Sequence, residues 1–264
     1  MTLLTDLIAR VRNEFLADDV GVLTGTPRWS DTNITNALNE AQRELVRRCQ
    51  LIKDGMTPSV CFLPLVADID GNFPQSLALS SKVIRVRYVL FPRFDTTVNS
   101  TAFPFRELSR TSTEYLNNGQ DDGHRHGFFG EGFDGSSGGW EWIGRTGHVQ
   151  QYVTDFQTQS ITFDRQPLYG GTVRIGVYRL PLADMTILDP ASAPEVKEQD
   201  IVLIHGALKY LYSKGYAMED RETFDPIKEA RWRKEFEDDI SRVARDIAMM
   251  EPKRTICRPE RGFW

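Results

Sequence analysis

The chain has 264 residues, enough for one large or two modest domains with real cores. It is 40% hydrophobic and 26% charged, with a net charge of -5, which argues against a free-standing nucleic-acid binder, since phosphate contacts need a concentrated basic face. Cys49, Cys61 and Cys257 are few, odd in number and without C-x-x-C spacing, so reduced thiols are expected rather than a disulfide framework or zinc knuckle.

The chain opens M-T-L-L-T-D-L-I-A-R-V-R-N-E-F-L. Asp6 interrupts the apolar stretch and no small-residue cleavage site follows, unlike a secretory signal. No uncharged run approaches the ~18 residues a membrane span needs, so neither export nor membrane insertion is expected. Leu4, Leu7, Ile8, Val11 and Phe15 recur at three- and four-residue spacing and predict a helix over about residues 2–17. After a glycine- and proline-containing loop, Ser30 is a candidate N-cap for a second helix running to about Gln50, its buried stripe being Ile34, Ala37, Leu38, Ala41 and Leu45.

Beyond Asp54-Gly55 the periodicity changes. Segments such as V-C-F-L-P-L, V-I-R-V-R-Y-V-L-F, S-I-T-F-D-R and T-V-R-I-G-V-Y-R-L are β-branched and aromatic with turn residues between them, which predicts about five strands in an antiparallel sheet or sandwich. In the second of these, Ile84, Val86, Tyr88 and Leu90 share a parity and form the expected core face. A helical turn is expected near residues 112–117.

Residues 119–147 hold half of the chain's 20 glycines. So long a glycine-rich stretch is expected to be a mobile excursion that orders against a partner. Its aromatics Phe128, Phe129, Phe133, Trp140 and Trp142 are candidate anchors for such a partner, because aromatic side chains concentrate at interface hot spots. Asp121, Asp122, His124 and His126 in the same stretch could ligate a divalent cation, but nothing in the pattern sets their geometry, and a solvated polar loop is the commoner fate. No metal and no cofactor are expected.

Pro194 ahead of Glu195 reads as a helix start, with Ile201, Ile204, Leu208, Leu211 and Tyr212 on one face. After a turn near Gly215, Phe236, Ile240, Val243 and Ile247 mark a fourth helix, on which Asp238 and Asp239 are expected to face water. His148 and His205 read as structural histidines. With no G-K-S/T loop and no G-x-S-x-G, an enzyme is not expected. The tail then carries Lys253, Arg254, Arg258 and Arg261 with Ile256, Phe263 and Trp264. A frayed terminus seldom ends in Phe-Trp, so this basic, aromatic-ended arm is expected to insert into a partner.

The fold class expected from these signals is α+β. A helical bundle is built from residues 1–54 and 186–251, an antiparallel β-rich domain spanning 55–185 is inserted between them, and an extended arm covers 252–264.

T-L-L-T-D-L-I-A-R-V-R-N-E-F, R-W-S-D-T-N-I-T-N-A-L-N-E-A-Q-R-E-L-V-R-R and the terminal unit from P-E-V-K-E-Q-D through A-L-K-Y-L-Y to W-R-K-E-F-E-D-D-I together resemble the head-to-tail adaptor (connector, or head-completion) proteins of tailed bacteriophages. The resemblance covers both ends of the chain. It implies a structural virion protein of the neck, made in the bacterial host cytoplasm. It also implies a ring, commonly of twelve copies, docked beneath the portal protein through Lys253, Arg254, Ile256, Arg258, Arg261, Phe263 and Trp264. The β insertion would offer attachment to tail or nozzle proteins, and packaged DNA would pass through the ring without sequence-specific binding. An alternative from the residues alone is a carbohydrate- or receptor-binding virion protein that uses Trp140 and Trp142; another is a hydrolase with a metal at Asp121, Asp122, His124 and His126.

Overall fold

The structure, a computed structural model, describes residues 2–16, 29–92, 105–118, 142–213 and 225–250. The chain divides into two compact units: one combines residues 1–51 with 181–264, and the other is 52–180. The fold class is α+β.

The first unit is helical. Helix α1 (Leu4–Arg10) continues into a π-helical turn at Val11–Phe15, shorter than the uninterrupted helix the spacing predicts. Helix α2 (Asp31–Cys49) starts where its cap predicts, the Ser30 hydroxyl accepting from Asn33 N at 3.1 Å, and stops at Gln50, which turns left-handed at φ 52°. Arg12 ties the two together by donating to Trp29 O at 2.8 Å and to Asp31 at 2.6 Å. All five apolar positions of the expected stripe are fully buried, and Thr35, Asn39, Gln42 and Val46 are buried as well, so α2 is covered on more than one side.

Helix α5 (Asp200–Leu211) packs along α2, and helix α6 (Pro226–Met250) packs on both. The crossing depends on Gly206, where an added Cβ would meet the Ala41 Cβ at 2.7 Å and the Phe236 ring at 2.8 Å. Charge pairs bracket it. Lys209 Nζ and Tyr210 OH both donate to Glu44 at 2.7 Å, and Arg48 forms a two-pronged pair with Glu237 at 2.6 Å. The Asn39 amide grips the backbone of Met185 in both directions, at 3.0 and 2.9 Å, holding the irregular segment that precedes α5.

Two expectations fail here. Pro194 does not begin the helix: Glu198 adopts φ 65°, a left-handed conformation that breaks helical continuity, and α5 starts at Asp200. Ile201 is consequently in the first turn and 49% exposed, with Val202 and Leu203 buried in its place.

The second unit is a sheet with strands β1 (Lys53–Asp54), β2 (Phe62–Leu65), β3 (Ser76–Ala78), β4 (Val83–Pro92), β5 (Phe105–Arg110), β6 (Gln151–Val153), β7 (Ser160–Phe163) and β8 (Gly171–Arg179), plus short helices α3 (Pro58–Cys61) and α4 (Thr113–Asn118). Their order is β1-β8-β4-β5-β6-β7-β3, with β2 also on β8. The sheet is mixed and not purely antiparallel, because β5 and β6 run parallel through Ser109↔Gln151 and Arg110↔Tyr152. That pairing is possible because residues 111–150 separate the two strands, far more chain than a hairpin uses. Phe91 on β4 and Phe163 on β7 are separated in the order by β5 and β6, yet meet edge to face at 5.3 Å. The sheet therefore curls over a single core with Tyr152, Ile161, Val173, Ile175 and Val177.

The core face of β4 also departs from simple alternation. Register shifts between Val83 and Arg85 and between Val86 and Tyr88 each insert a residue, so Val83, Val86, Val89 and Phe91 are buried while Ile84, Tyr88 and Leu90 are only partly so. A bulge reverses side-chain parity, and two bulges reverse it twice. Tyr88 then lies across Gly176, where a Cβ would come within 2.2 Å of the ring.

Candidate functional site

Helix α6 carries the chain toward its C-terminal residues, and its inner face is built around a polar pair. His205 on α5 places Nδ1 2.8 Å from Asp239, which also accepts from Arg242 at 2.7 Å. Trp232 stacks on the imidazole at 5.4 Å, and Phe15 packs edge-on against both rings at 5.9 and 5.7 Å. Asp239 is 7% exposed and not on the solvated face expected of it, whereas Asp238 is exposed. The reason is helical phase: Asp239 is three residues from Phe236 and adjacent to Ile240, on the side that meets α5. With Trp232 stacked on the imidazole and Phe15 edge-on to both rings, the His205–Asp239 pair cements α5, α6 and the π-helical turn that follows α1.

Other polar groups settle the helical unit electrostatically. Burial would raise the Glu44 carboxyl, but hydrogen bonds from Lys209 and Tyr210 and the nearby Arg48 bring it below its ordinary value. Glu237 is lowered chiefly by its hydrogen bonds from Arg48. Burial raises the Cys49 thiol, which sits 3.8 Å from Ile240 O.

In the β unit the anchoring group is Asp54. Burial acts to raise its carboxyl, but donors converge on it: the Thr57 hydroxyl at 2.6 Å, Met56 N at 2.9 Å, Arg179 Nε at 2.5 Å and Thr57 N at 3.1 Å. Together they hold it well below the usual carboxylate range. Burial and the neighbouring Asp54 push the Cys61 thiol up to about 11. A thiol so far from ionisation is inert packing at neutral pH. Apart from the Asp54-Gly55 turn, no local pattern marks this cluster, because Arg179 is 125 positions away.

Of the candidate partner-binding aromatics, Trp142 is described. It is 4% exposed and packs edge-on against Phe156 at 5.4 Å, so its ring serves the interior of the β unit. Gln75 clamps the backbone beside it, donating to Trp142 O at 3.3 Å and Phe163 O at 2.9 Å and accepting from Gly144 N at 2.9 Å. No periodicity or motif singles Gln75 out. Phe128, Phe129, Phe133 and Trp140 lie outside the described residues, as do Asp121, Asp122, His124, His126 and the arm residues Lys253, Arg254, Ile256, Arg258, Arg261, Phe263 and Trp264. Among the described residues there is no group of three or more His, Cys, Asp and Glu side chains able to hold a metal ion, and no helix long and apolar enough to cross a membrane.

The two ends of the chain build one helical unit, the residues between them build a β unit, and the buried polar groups of the helical unit hold its helices together. The family model for SU10 adaptor protein matches residues 1–256, and the chain belongs to that family of phage head-to-tail adaptors, structural components of the virion neck. No curated protein matches the chain.

Proposed function

We propose that this protein is a head-to-tail adaptor that assembles into a ring, of about twelve copies by family resemblance, beneath the portal of a tailed phage. Residues 252–264 form the docking arm, with Arg254, Arg258, Phe263 and Trp264 its main anchors. The helical unit forms the ring wall, and the β unit with the glycine-rich residues 119–147 receives tail or nozzle proteins. DNA passes through the ring without sequence-specific contact.

The observation that carries this reading is the length of the family match, 1–256, over a chain in which the helices before residue 52 and after residue 180 belong to one compact unit and the sequence after them is basic. An arm that orders only when it meets the portal would delay assembly until the portal is present, and a ring would multiply modest pairwise contacts.

The test is the full-length protein and a version ending at Met250, each mixed with the portal protein of the same phage and followed by native mass measurement and electron microscopy. A ring on the portal with the full chain, lost on truncation while the thermal unfolding of the adaptor is unchanged, is the expected result. Undiminished portal binding by the truncated chain would overturn the assignment of the arm.

A further inference from the structure

One face of the curled sheet is cationic although the chain is acidic. Strand β8 turns Val173, Ile175 and Val177 into the core, which leaves Arg174 and Tyr178 on the opposite face. Register places Arg85 beside Tyr178, and both Phe62 and Leu90 beside Arg174. The Arg174 guanidinium lies 4.5 Å from the Phe105 ring centre and 5.2 Å from that of Phe62, and Arg87 lies 5.4 Å from Tyr178 and 5.9 Å from Tyr88. Among the described residues no carboxylate lies within ion-pair distance of Arg85, Arg87 or Arg174, all three of which are exposed. Glu107, opposite Leu90, offsets only part of this charge.

Guanidinium groups already held over rings lose little freedom on binding, and Arg with Tyr is the composition of interface hot spots. The rings beneath them are partly covered by these cations, which disfavours base stacking, and the net charge of -5 repels a nucleic acid at longer range. A positive face on a chain of that charge leaves the remaining surface more acidic still. A second copy is thus complementary to this face, provided it presents a different surface, since the face against itself would oppose like charges.

The helical unit offers such a surface. Between Leu180 and Val196 the sequence has Asp184, Asp189 and Glu195 and neither lysine nor arginine; Asp184 is paired with Arg43 of α2, so within 182–189 the carboxylate with no ion pair among the described residues is Asp189. The same stretch exposes Leu182, Ile187 and, at 93%, Leu188, apolar groups suited to Leu90 and the edges of Phe62 and Phe105. We infer that the arginine-aromatic face of the β unit receives the acidic segment 182–189 of a second copy of this chain. The contact is heterologous, the kind that closes rings and does not make two-fold dimers. This inference rests on the ring reading above and supplies a surface for it.

The experiment uses the full-length chain, alone and with the portal, followed by native mass and sedimentation across concentration. Arg85→Glu and Asp189→Arg should each raise the concentration needed for half-assembly by roughly tenfold or more, and raising salt from about 0.05 to about 0.5 M should weaken the wild type in the same direction. Combining Arg174→Glu with Asp189→Arg in one chain should recover part of the loss shown by either alone. Arg85→Gln, with an unchanged unfolding midpoint, guards against a folding artefact and should show a smaller loss in the same sense. Rings unaffected by both single reversals, or no recovery in the combined variant, would overturn this surface while leaving the ring reading standing. A wild type that never assembles, with or without portal, would overturn both. Binding of a labelled single-stranded oligonucleotide of about 20 nucleotides, abolished by Arg85→Glu, would reassign the face to nucleic acid and likewise overturn the inference.

Discussion

His205 and Asp239 meet at 2.8 Å between α5 and α6, in a pocket closed by Trp232 and Phe15. Removing the carboxylate leaves the imidazole without that partner and opens a gap against Arg242. Asp239→Ala should therefore lower stability by roughly 1–3 kcal/mol, the cost of leaving a buried polar group unsatisfied, whereas Asp238→Ala on the exposed neighbouring position should stay within about 0.5 kcal/mol. Urea denaturation of both variants checks the difference; equal effects would mean that Asp239 is no structural pin.

Asp54 carries the pH dependence of the β unit. Its folded carboxyl is held below the unfolded value of about 3.9, so its contribution is complete above that value and is lost as pH falls through the lower folded one. Glu44 and Glu237 act in the same direction. Wild-type stability should hold from pH 7 to about 5 and decline below about 4, and Asp54→Asn should be less stable at neutral pH with a shallower acid decline. Denaturation midpoints measured from pH 7 down to pH 3 test this; parallel curves for the two proteins would refute it.

Gly206 sets the approach of α5 to α2 and α6. Alanine there gains about 1 kcal/mol of helix propensity but forces its methyl against Ala41 and Phe236, both fully buried, at a cost of about 1–3 kcal/mol. The clash should prevail because the Ala41 Cβ is fixed to a helix backbone. Gly206→Ala should destabilise, and adding Ala41→Gly should restore a good part of the loss in a double-mutant cycle.

The same logic applies more severely at Gly176, where a Cβ would sit 2.2 Å from the body of the Tyr88 ring. Gly176→Ala should cost about 2 kcal/mol or more, and should cost much less in a Tyr88→Ala background. Thermal unfolding of the four proteins measures the coupling, and additive effects would contradict the crossing.

Trp142 separates a packing role from a ligand-binding one. Buried against Phe156, it should cost about 3–5 kcal/mol when replaced by alanine. A glycan-array screen of Trp142→Phe, which keeps most of the apolar contact, would reveal any sugar affinity carried by the ring; no change is expected.

The local part of the molecule is legible in the order of its residues. Apolar spacing in Leu4 to Val11, in Ile34 to Leu45 and in Phe236 to Val243 marked the helices, Ser30 marked a start, and β-branched runs marked the main strands, because each depends on residues within a turn or two of chain. Tertiary structure decided the rest. The core parity of β4 is set by two bulges that exist only against β8, and the parallel β5–β6 pair only through hydrogen bonds across 40 residues of intervening chain. Asp239 reads as solvated until α5 brings His205 to it, and Asp54 is ordinary until Arg179 closes on it. Strand register, buried charge pairing and backbone approach are properties of neighbours distant in sequence, and periodicity contains no information about which neighbours those are.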